Sequence, residues 1–250
     1  MGVWVGTAGA GRPTDPVTIR IASYNIKHGR GNDNAVDLAR TAGVLRGLAP
    51  DIVGLQEVDR GAERSGKVDE ARALGEALGL RHAFGRFMDF QGGAYGMGVL
   101  SRFPITQSRE VRLPDGNEPR VALAVDVRLP DGRSLTIVNV HFDWVADDGF
   151  RFAQAQTLTG FLDALEHPYL LLGDFNDEPG SRTLGLFTAR AAEAVKPRDN
   201  RLTFSSTEPV KEIDFIFMAP REAWTAGEVR VIDEKVASDH RPLLAVLTLR

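Results

Sequence analysis

Two short runs constrain the fold of this chain more than any other feature. Asp51–Leu55 reads DIVGL and Tyr169–Gly173 reads YLLLG. Each is too short for a typical helix and apolar at nearly every position, so neither offers a face suited to water. Strands of that kind belong in a sheet covered on both sides. Around them lie strands of ordinary texture. Val17–Tyr24, VTIRIASY, alternates apolar and polar residues. Strand-like runs follow at Arg81–Phe87, Gly98–Ser101, Ile105–Leu113, Arg120–Leu129 and Ser134–Val140, separated by Gly, Pro and Asp-Gly turns. Leu129–Arg133, LPDGR, is a hairpin signal between two alternating strands. Glu212–Met218, Glu228–Ile232 and Leu243–Leu249 read as further strands. Helical spacing covers Asn34–Leu48, with Asp33 or Asn32 as N-cap and Pro50 as stop. It returns over Val68–Leu78, ended by Gly79, and over Phe150–Leu165.

These strands are too numerous for one simple parallel sheet. The pattern predicts an α/β two-sheet sandwich with helices packed on both outer faces. No linker divides the chain, so residues 17–250 are expected to form one domain. The Gly-rich residues 1–16 read as a disordered lead-in, without the basic start or long apolar region of a signal peptide. No apolar run approaches the roughly 20 residues of a membrane-spanning helix. A soluble monomer is therefore expected, cytoplasmic or secreted. The absence of Cys removes disulfides, thiolate metal sites and Cys nucleophiles. A net charge of −4 and a pI of about 5.8 weigh against a long nucleic-acid substrate, whose binders usually carry a basic face.

The polar residues fall in a pattern. Strands end in Tyr24-Asn25, Gln56-Glu57, Val140-His141 and Gly173-Asp174-Phe175-Asn176. Asp239-His240 precedes the last strand, and Asp214 lies inside an apolar one. A single Asp or Asn at such a place is usually a turn residue or helix cap. Six such places in one chain need a common cause, and a carboxylate among Ile and Phe needs a partner. The four strand ends are expected to share one sheet edge, where binding sites gather. The set suits hydrolysis of a phosphate ester with Mg²⁺ or Mn²⁺, hard ions held by oxygen donors and substrate phosphate. Glu57 is the natural primary ligand, with Asn25 beside it. Two His and Asp-x-Asn would supply proton transfer and transition-state contacts. Zinc fits less well, because there is neither Cys nor an H-E-x-x-H pair.

The blocks SYNIKHG, LQEVDR, GMGVLSRFPI, NVHFDW, LLGDFND, EIDFIF and SDHRP, taken together, resemble the endonuclease/exonuclease/phosphatase superfamily of metal-dependent phosphoesterases. They occur in the family's order and span residues 17–250. The resemblance implies a four-layered α/β sandwich, two mixed β-sheets flanked by helices. It also implies roles. Glu57 binds the divalent ion, helped by Asn25, with Asp239 serving a second metal or orienting the site. Asp174 orients or deprotonates the attacking water, and Asn176 contacts the phosphate or transition state. His240 holds the scissile phosphate while Asp214 fixes its ring. His141 binds phosphate and assists the leaving group.

Two departures stand out. Apurinic endonucleases of the family carry an acidic residue where this chain has Lys27, which puts the second metal in doubt. The EPRVALAV block lacks their Tyr, and His141 resembles instead the branch of deoxyribonucleases and sphingomyelinases. Arg120 is a candidate phosphate contact, equally readable as a solvated strand residue. Trp144 is a candidate wall of the substrate cleft, as are Phe87, Phe90 and Tyr95. His28 reads as a turn residue, His82 and His167 as structural or exposed. Lys196–Arg201 reads as a solvated basic loop. The expected activity is hydrolysis of a small or lipid-linked phosphodiester, and the alternative a deoxyribonuclease or other endonuclease acting on nucleic acid. A non-catalytic module on this fold would have no need of the whole set.

Overall fold

The computed structural model describes residues 15–250. The lead-in expected over 1–16 lies, apart from Asp15 and Pro16, outside the described residues. Two six-stranded sheets form the body. The first runs, in spatial order, β11 (Trp224–Val231), β12 (Leu243–Leu249), β1 (Val17–Asn25), β2 (Ile52–Arg60), β4 (Gly93–Ser101) and β3 (Arg81–Phe90). The second runs β5 (Ile105–Arg112), β6 (Val121–Arg128), β7 (Ser134–His141), β8 (Tyr169–Asp174), β10 (Asp214–Ala219) and β9 (Ala192–Glu193). Both sheets are mixed. β1 pairs parallel with β2 and β7 parallel with β8, and the other pairings are antiparallel.

The apolar runs now have a physical explanation. Leu170 and Leu172 of β8 face the other sheet, in one cluster with Ile19, Ile21, Ile52, Val99 and Ile137. Leu171 faces the opposite way, onto Leu158 and Leu162 of α3 (Gly149–Asp163) and Phe187 of α4 (Arg182–Thr188). On the first sheet, Val53 and Leu55 face α1 (Leu38–Leu48) and α2 (Glu70–Leu78). The order of layers is helices, sheet, sheet, helices. Each fully buried Leu or Ile contributes about 1.5–3 kcal/mol, and the cluster between the sheets locks their relative position.

Several boundaries differ from the sequence reading. The first helix begins at Leu38, and its N-cap is Asp37, which accepts from Arg40 N–H at 2.9 Å. Asp33 instead binds the Arg40 guanidinium, and Asn34 sits in a left-handed turn with φ 64°. The strands read at Arg81–Phe87 and Gly98–Ser101 extend further toward each other, to Phe90 and back to Gly93. β3 and β4 form one hairpin turning at Gln91-Gly92, both with positive φ. The short α4 has no long periodic pattern, and Ser181 caps it by accepting from Leu184 N–H at 3.2 Å. Lys196 is not solvated. It is buried, with its ammonium 3.2 Å from Glu212 and 3.9 Å from the Phe215 ring centre.

Glu70 opens α2 in a buried position, accepting from Asp59 N–H at 2.7 Å. Burial pushes its carboxyl up from 4.5 to about 8. The folded state therefore keeps a proton there that the unfolded state has lost, and stability falls as pH rises through that window. Glu70→Gln is expected to raise the melting temperature by several degrees near pH 9 and to change it little at about pH 5. Equal shifts at both pH values in a calorimetric melt would contradict this.

Candidate active site

The predicted strand ends do meet, but not along one sheet edge. Asn25 and Glu57 belong to the first sheet, and His141 and Asp174 to the second. The ends of the two sheets face each other across a cavity of about 700 Å³. Glu57, Arg120, His141, Trp144, Asp174, Asn176, Asp239 and His240 line it. Asn25 and Asp214 stand just behind.

The second sheet sets three of these residues side by side. Asp174 is paired in register with His141 on one side and Asp214 on the other. The preceding Gly173 has φ 144°, and a Cβ there would collide with the Val140 carbonyl. Glycine thus lets β8 pass close to β7 as it delivers Asp174 to its end. Just beyond, Asn176 takes a left-handed turn, φ 50°, that Asn tolerates. Its N–H donates to Asp174 Oδ1 at 2.9 Å and its side chain to the Phe142 carbonyl at 3.0 Å.

The first sheet uses a bulge. The β2–β4 register shifts between Leu55 and Val58, and Glu57 there has φ 54°. A left-handed non-glycine residue costs of order 1 kcal/mol, and here the twist turns the carboxylate into the cavity. The bulge leaves carbonyls that must be paired. Asn139 crosses from β7 to do so, donating to the Leu55 and Gly98 carbonyls, each at 2.9 Å. Its side-chain oxygen accepts from Gln56 Nε2 at 2.6 Å. Gly54 gives it room, since a Cβ there would come within 3.1 Å of the Asn139 oxygen and 2.8 Å of Leu172. Asn139 stood in the quoted block NVHFDW without a role, and only the sheet-to-sheet contact reveals one.

Asp174 is the hub. Its Oδ2 lies 3.2 Å from Asn25 Nδ2, 3.4 Å from His240 Nε2 and 3.5 Å from His141 Nε2. Burial raises its carboxyl above the usual range, and the nearby Asp214 charge adds to this while His240 opposes it. His240 Nδ1 lies 3.0 Å from Asp214 Oδ2. Burial alone would lower the His240 pKa, but Asp214 and Asp174 overcome it and hold the ring well above the ordinary histidine range. His141 goes the other way. Burial, then the charges of Arg120 and His240, pushes it down. One histidine is thus held cationic and the other neutral. Glu57 lines the cavity and is half-buried. Burial raises its carboxyl, and the hydrogen bond from Asn25 Nδ2, 3.0 Å, opposes this. The Asn25 oxygen accepts from Lys27 N–H at 3.1 Å. Asp239 pairs with Lys27 at 2.6 Å, and Ser238 Oγ donates to the Asn25 carbonyl at 2.6 Å, tying the SDHRP segment to β1.

Arg120 is a correction to the solvated alternative, being 1% exposed. Its guanidinium lies 5.0 Å from the Phe87 ring centre and pairs with Glu118 at 3.2 Å, while Nε and Nη1 have no partner among the described residues. Trp144 is exposed at the rim. Phe90 and Tyr95 line the cavity, whereas Phe87 lies in the core. His28 is buried in a left-handed turn, and His82 and His167 are exposed. Arg64, Arg151 and Lys211 also line the cavity. No local signal marked them, because each comes from a different surface turn or helix start. Lys196 backs the site by donating to the Asp214 carbonyl at 2.9 Å.

A family model described as the endonuclease/exonuclease/phosphatase family matches residues 22–240. This chain belongs to that family. The family's members are hydrolases that act on phosphoester bonds and generally depend on a divalent metal. The chain is 26% identical over 253 residues to the protein YbhP of Escherichia coli (strain K12), covering 94% of this chain and 98% of that one. It superposes with a TM-score of 0.78 on an endonuclease/exonuclease/phosphatase family protein from Bacteroides thetaiotaomicron, at 19% identity over 94% of this chain and 99% of that one. A mannosyl-6-phosphatase of Bacteroides thetaiotaomicron VPI-5482 superposes with a TM-score of 0.75, at 20% identity over 92% of this chain and 99% of that one. These likenesses agree with the four-layered arrangement. Among the described residues no helix is long and apolar enough to cross a membrane.

Proposed function

We propose that this protein hydrolyses a phosphodiester of a small or lipid-linked substrate by in-line attack of water. The observation that carries the reading is the Asp214–His240–Asp174 relay, with His141 and Asn176 beside it, at the floor of a cavity. Asp174 orients the water and takes its proton, for which a carboxyl held above the usual range is suited. His240, kept cationic, donates from Nε2 to a phosphate oxygen, and Asp214 is a positioning residue acting through it. His141, neutral, donates to phosphate or leaving group. Asn176 presents its side chain toward the transition state, and Arg120 supplies the unpartnered guanidinium N–H groups.

Glu57 is the residue that fits a divalent cation. It is a desolvated carboxylate whose hydrogen-bond partner is a neutral amide, and Asp239 shares the cavity with it. The Asp174–Asp214–His240 cluster also offers ligand atoms within 4.8 Å of one another. It suits a metal less, because His240 Nδ1 is committed to Asp214 and the ring is cationic. A Mg²⁺ or Mn²⁺ ion held by Glu57, with Asn25 and Asp239, would neutralise phosphate charge and activate the nucleophile. Asn25 would have to turn its oxygen from Lys27 N–H to serve. The cavity carries Glu57, Glu118, Asp174, Asp177, Glu178 and Asp239 against Arg64, Arg120, Arg151, Lys211 and the His240 ring. That balance favours a small substrate over a polyanion, and the soluble monomer expected above fits such an enzyme.

The test is Mg²⁺- and Mn²⁺-dependent hydrolysis of bis(p-nitrophenyl) phosphate beside nicking of supercoiled plasmid. Turnover of the small diester without nicking supports the reading, and nicking that falls steeply with salt replaces it by the nuclease. Glu57→Gln is expected to weaken Mg²⁺ binding, measured calorimetrically, by at least about tenfold. An unchanged titration removes Glu57 as ligand.

A further inference from the structure

From Arg120, which the chemistry above uses, the cavity wall continues through Tyr95 and Phe90 to Arg64, which that chemistry leaves unused. Arg64, in the turn after β2, forms a two-pronged pair with Asp59, Nε to Oδ2 and Nη2 to Oδ1, each 2.8 Å. Asp59 is fully buried, so the guanidinium is fixed from behind. It also lies 4.4 Å from the Phe90 ring centre and 5.1 Å from that of Tyr95. Its backbone N–H donates to Gln91 Oε1 at 2.9 Å, which holds the turn against the β3–β4 hairpin. Nη1 makes no hydrogen bond among the described residues, and the side chain faces the cavity. The aromatic series continues through Tyr95 to Phe87, 5.6 Å between centres, over which Arg120 lies. Arg120 is 1% exposed and has two unpartnered nitrogens. The wall therefore carries two guanidiniums linked by the Phe90 and Tyr95 rings, which meet at a tilt, with Phe87 edge-on to Tyr95 behind them in the core.

What such a wall binds follows from what it leaves open. Arg64 lies over Phe90 and Tyr95, so those rings already have a flat cationic partner. The free groups are N–H donors on planar forks, whose geometry matches carboxylate or phosphate oxygens. At Arg120, whose free donors are buried, leaving them without a partner costs of order 1–3 kcal/mol, a cost that an acceptor brought by a ligand would relieve. Stacking and the Asp59 pair hold Arg64 before any ligand arrives, so little side-chain freedom is lost on binding.

We propose that Arg64 is the anchor of a second oxyanion site, and that the natural substrate carries a phosphate or carboxylate on the arm that lies along the Arg120–Tyr95–Arg64 wall, away from the reacting phosphate. The inference rests on the phosphoester reading of the site and narrows its substrate to a molecule with two anionic centres.

Non-hydrolysable probes test it. Alkanediyl bisphosphonates of graded length, the corresponding ω-phosphonocarboxylates and alkyl monophosphonates are titrated calorimetrically into the Mg²⁺-loaded protein. At least one two-headed probe is expected to bind roughly tenfold tighter than the monophosphonate of equal length. Arg64→Ala is expected to abolish that advantage and Arg64→Lys to keep part of it. The bisphosphonate and phosphonocarboxylate arms decide which oxyanion the wall prefers. Because Arg64→Ala strands the buried Asp59, the double variant Asp59→Asn/Arg64→Met removes the charge together with its partner. It must lose the advantage too. A two-headed advantage that is absent from the whole series, or that survives in these variants, overturns the proposal. Turnover of bis(p-nitrophenyl) phosphate is read separately. Turnover without a two-headed advantage sinks the second site alone, and an Arg64-dependent advantage without turnover sinks the reaction alone.

Discussion

Asp174→Asn is expected to lower kcat by roughly 10²- to 10⁴-fold, the range that a positioned general base supplies. The amide matches the carboxylate in shape but takes no proton. Folding should survive at a modest cost that the hydrogen bonds explain. Asn25, His240 and His141 converge on Oδ2, and Asn176 N–H donates to Oδ1. An amide has one oxygen for these two sides, so its NH₂ must meet a donor on one of them. One conflict of this kind costs about 1–3 kcal/mol, a drop of several degrees in melting temperature for a domain of this size. Against it, the variant no longer buries a charge at that position. Steady-state kinetics and a thermal melt on the same preparation check both halves. A variant within tenfold of the parent rate would reject Asp174 as the base.

The second large effect concerns His240 and Asp214. Each of His240→Ala and Asp214→Asn should reduce kcat by roughly 10²- to 10⁴-fold. The double variant should be hardly worse than His240→Ala alone, because Asp214 acts through the ring it holds at 3.0 Å. Simple multiplication of the two losses would refute the pairing. The pH profile gives a separate sign. Asp174 must be ionised to take a proton, so the rate rises with pH through its raised pKa. His240 must be cationic to donate, so the rate falls again only well above the ordinary histidine range. Removing the Asp214 charge takes away the largest influence favouring the cation. In Asp214→Asn the alkaline limb should therefore move to lower pH while the acid limb, which that charge also raises, moves slightly down. A shift of the alkaline limb upward would contradict the assignment.

How much of this was legible in the sequence varies with the range of the interaction that decides it. DIVGL and YLLLG announced strands buried on both faces, because a strand's exposure pattern is written in every second residue. The stretch LLGDFND announced Asp174 and Asn176 at a strand end for the same local reason. Helix limits were less legible. Asp37 caps α1 in place of Asp33, since the intervening turn is held by Arg40 and by long-range contact of Asn32 N–H with the Val236 carbonyl at 2.8 Å. Lys196 read as solvated, and Arg120 as either a phosphate contact or a solvated strand residue, yet both are buried against aromatic rings distant in sequence, Phe215 and Phe87.

The sequence by itself therefore determined the strands other than the two-residue β9, which faces they bury and which polar side chains stand at their ends. Only the tertiary structure decided how those ends meet. Packing between the sheets brings Asn25 and Glu57 opposite His141 and Asp174, and the β2 bulge, paired by Asn139 from the other sheet, turns Glu57 into the cavity. It likewise gathered Arg64, Arg151 and Lys211 around the cavity. The physical reason is one of range. Side-chain alternation repeats every two residues and can be read locally, whereas the facing of two sheets is fixed by contacts between residues up to two hundred positions apart, which no local pattern encodes.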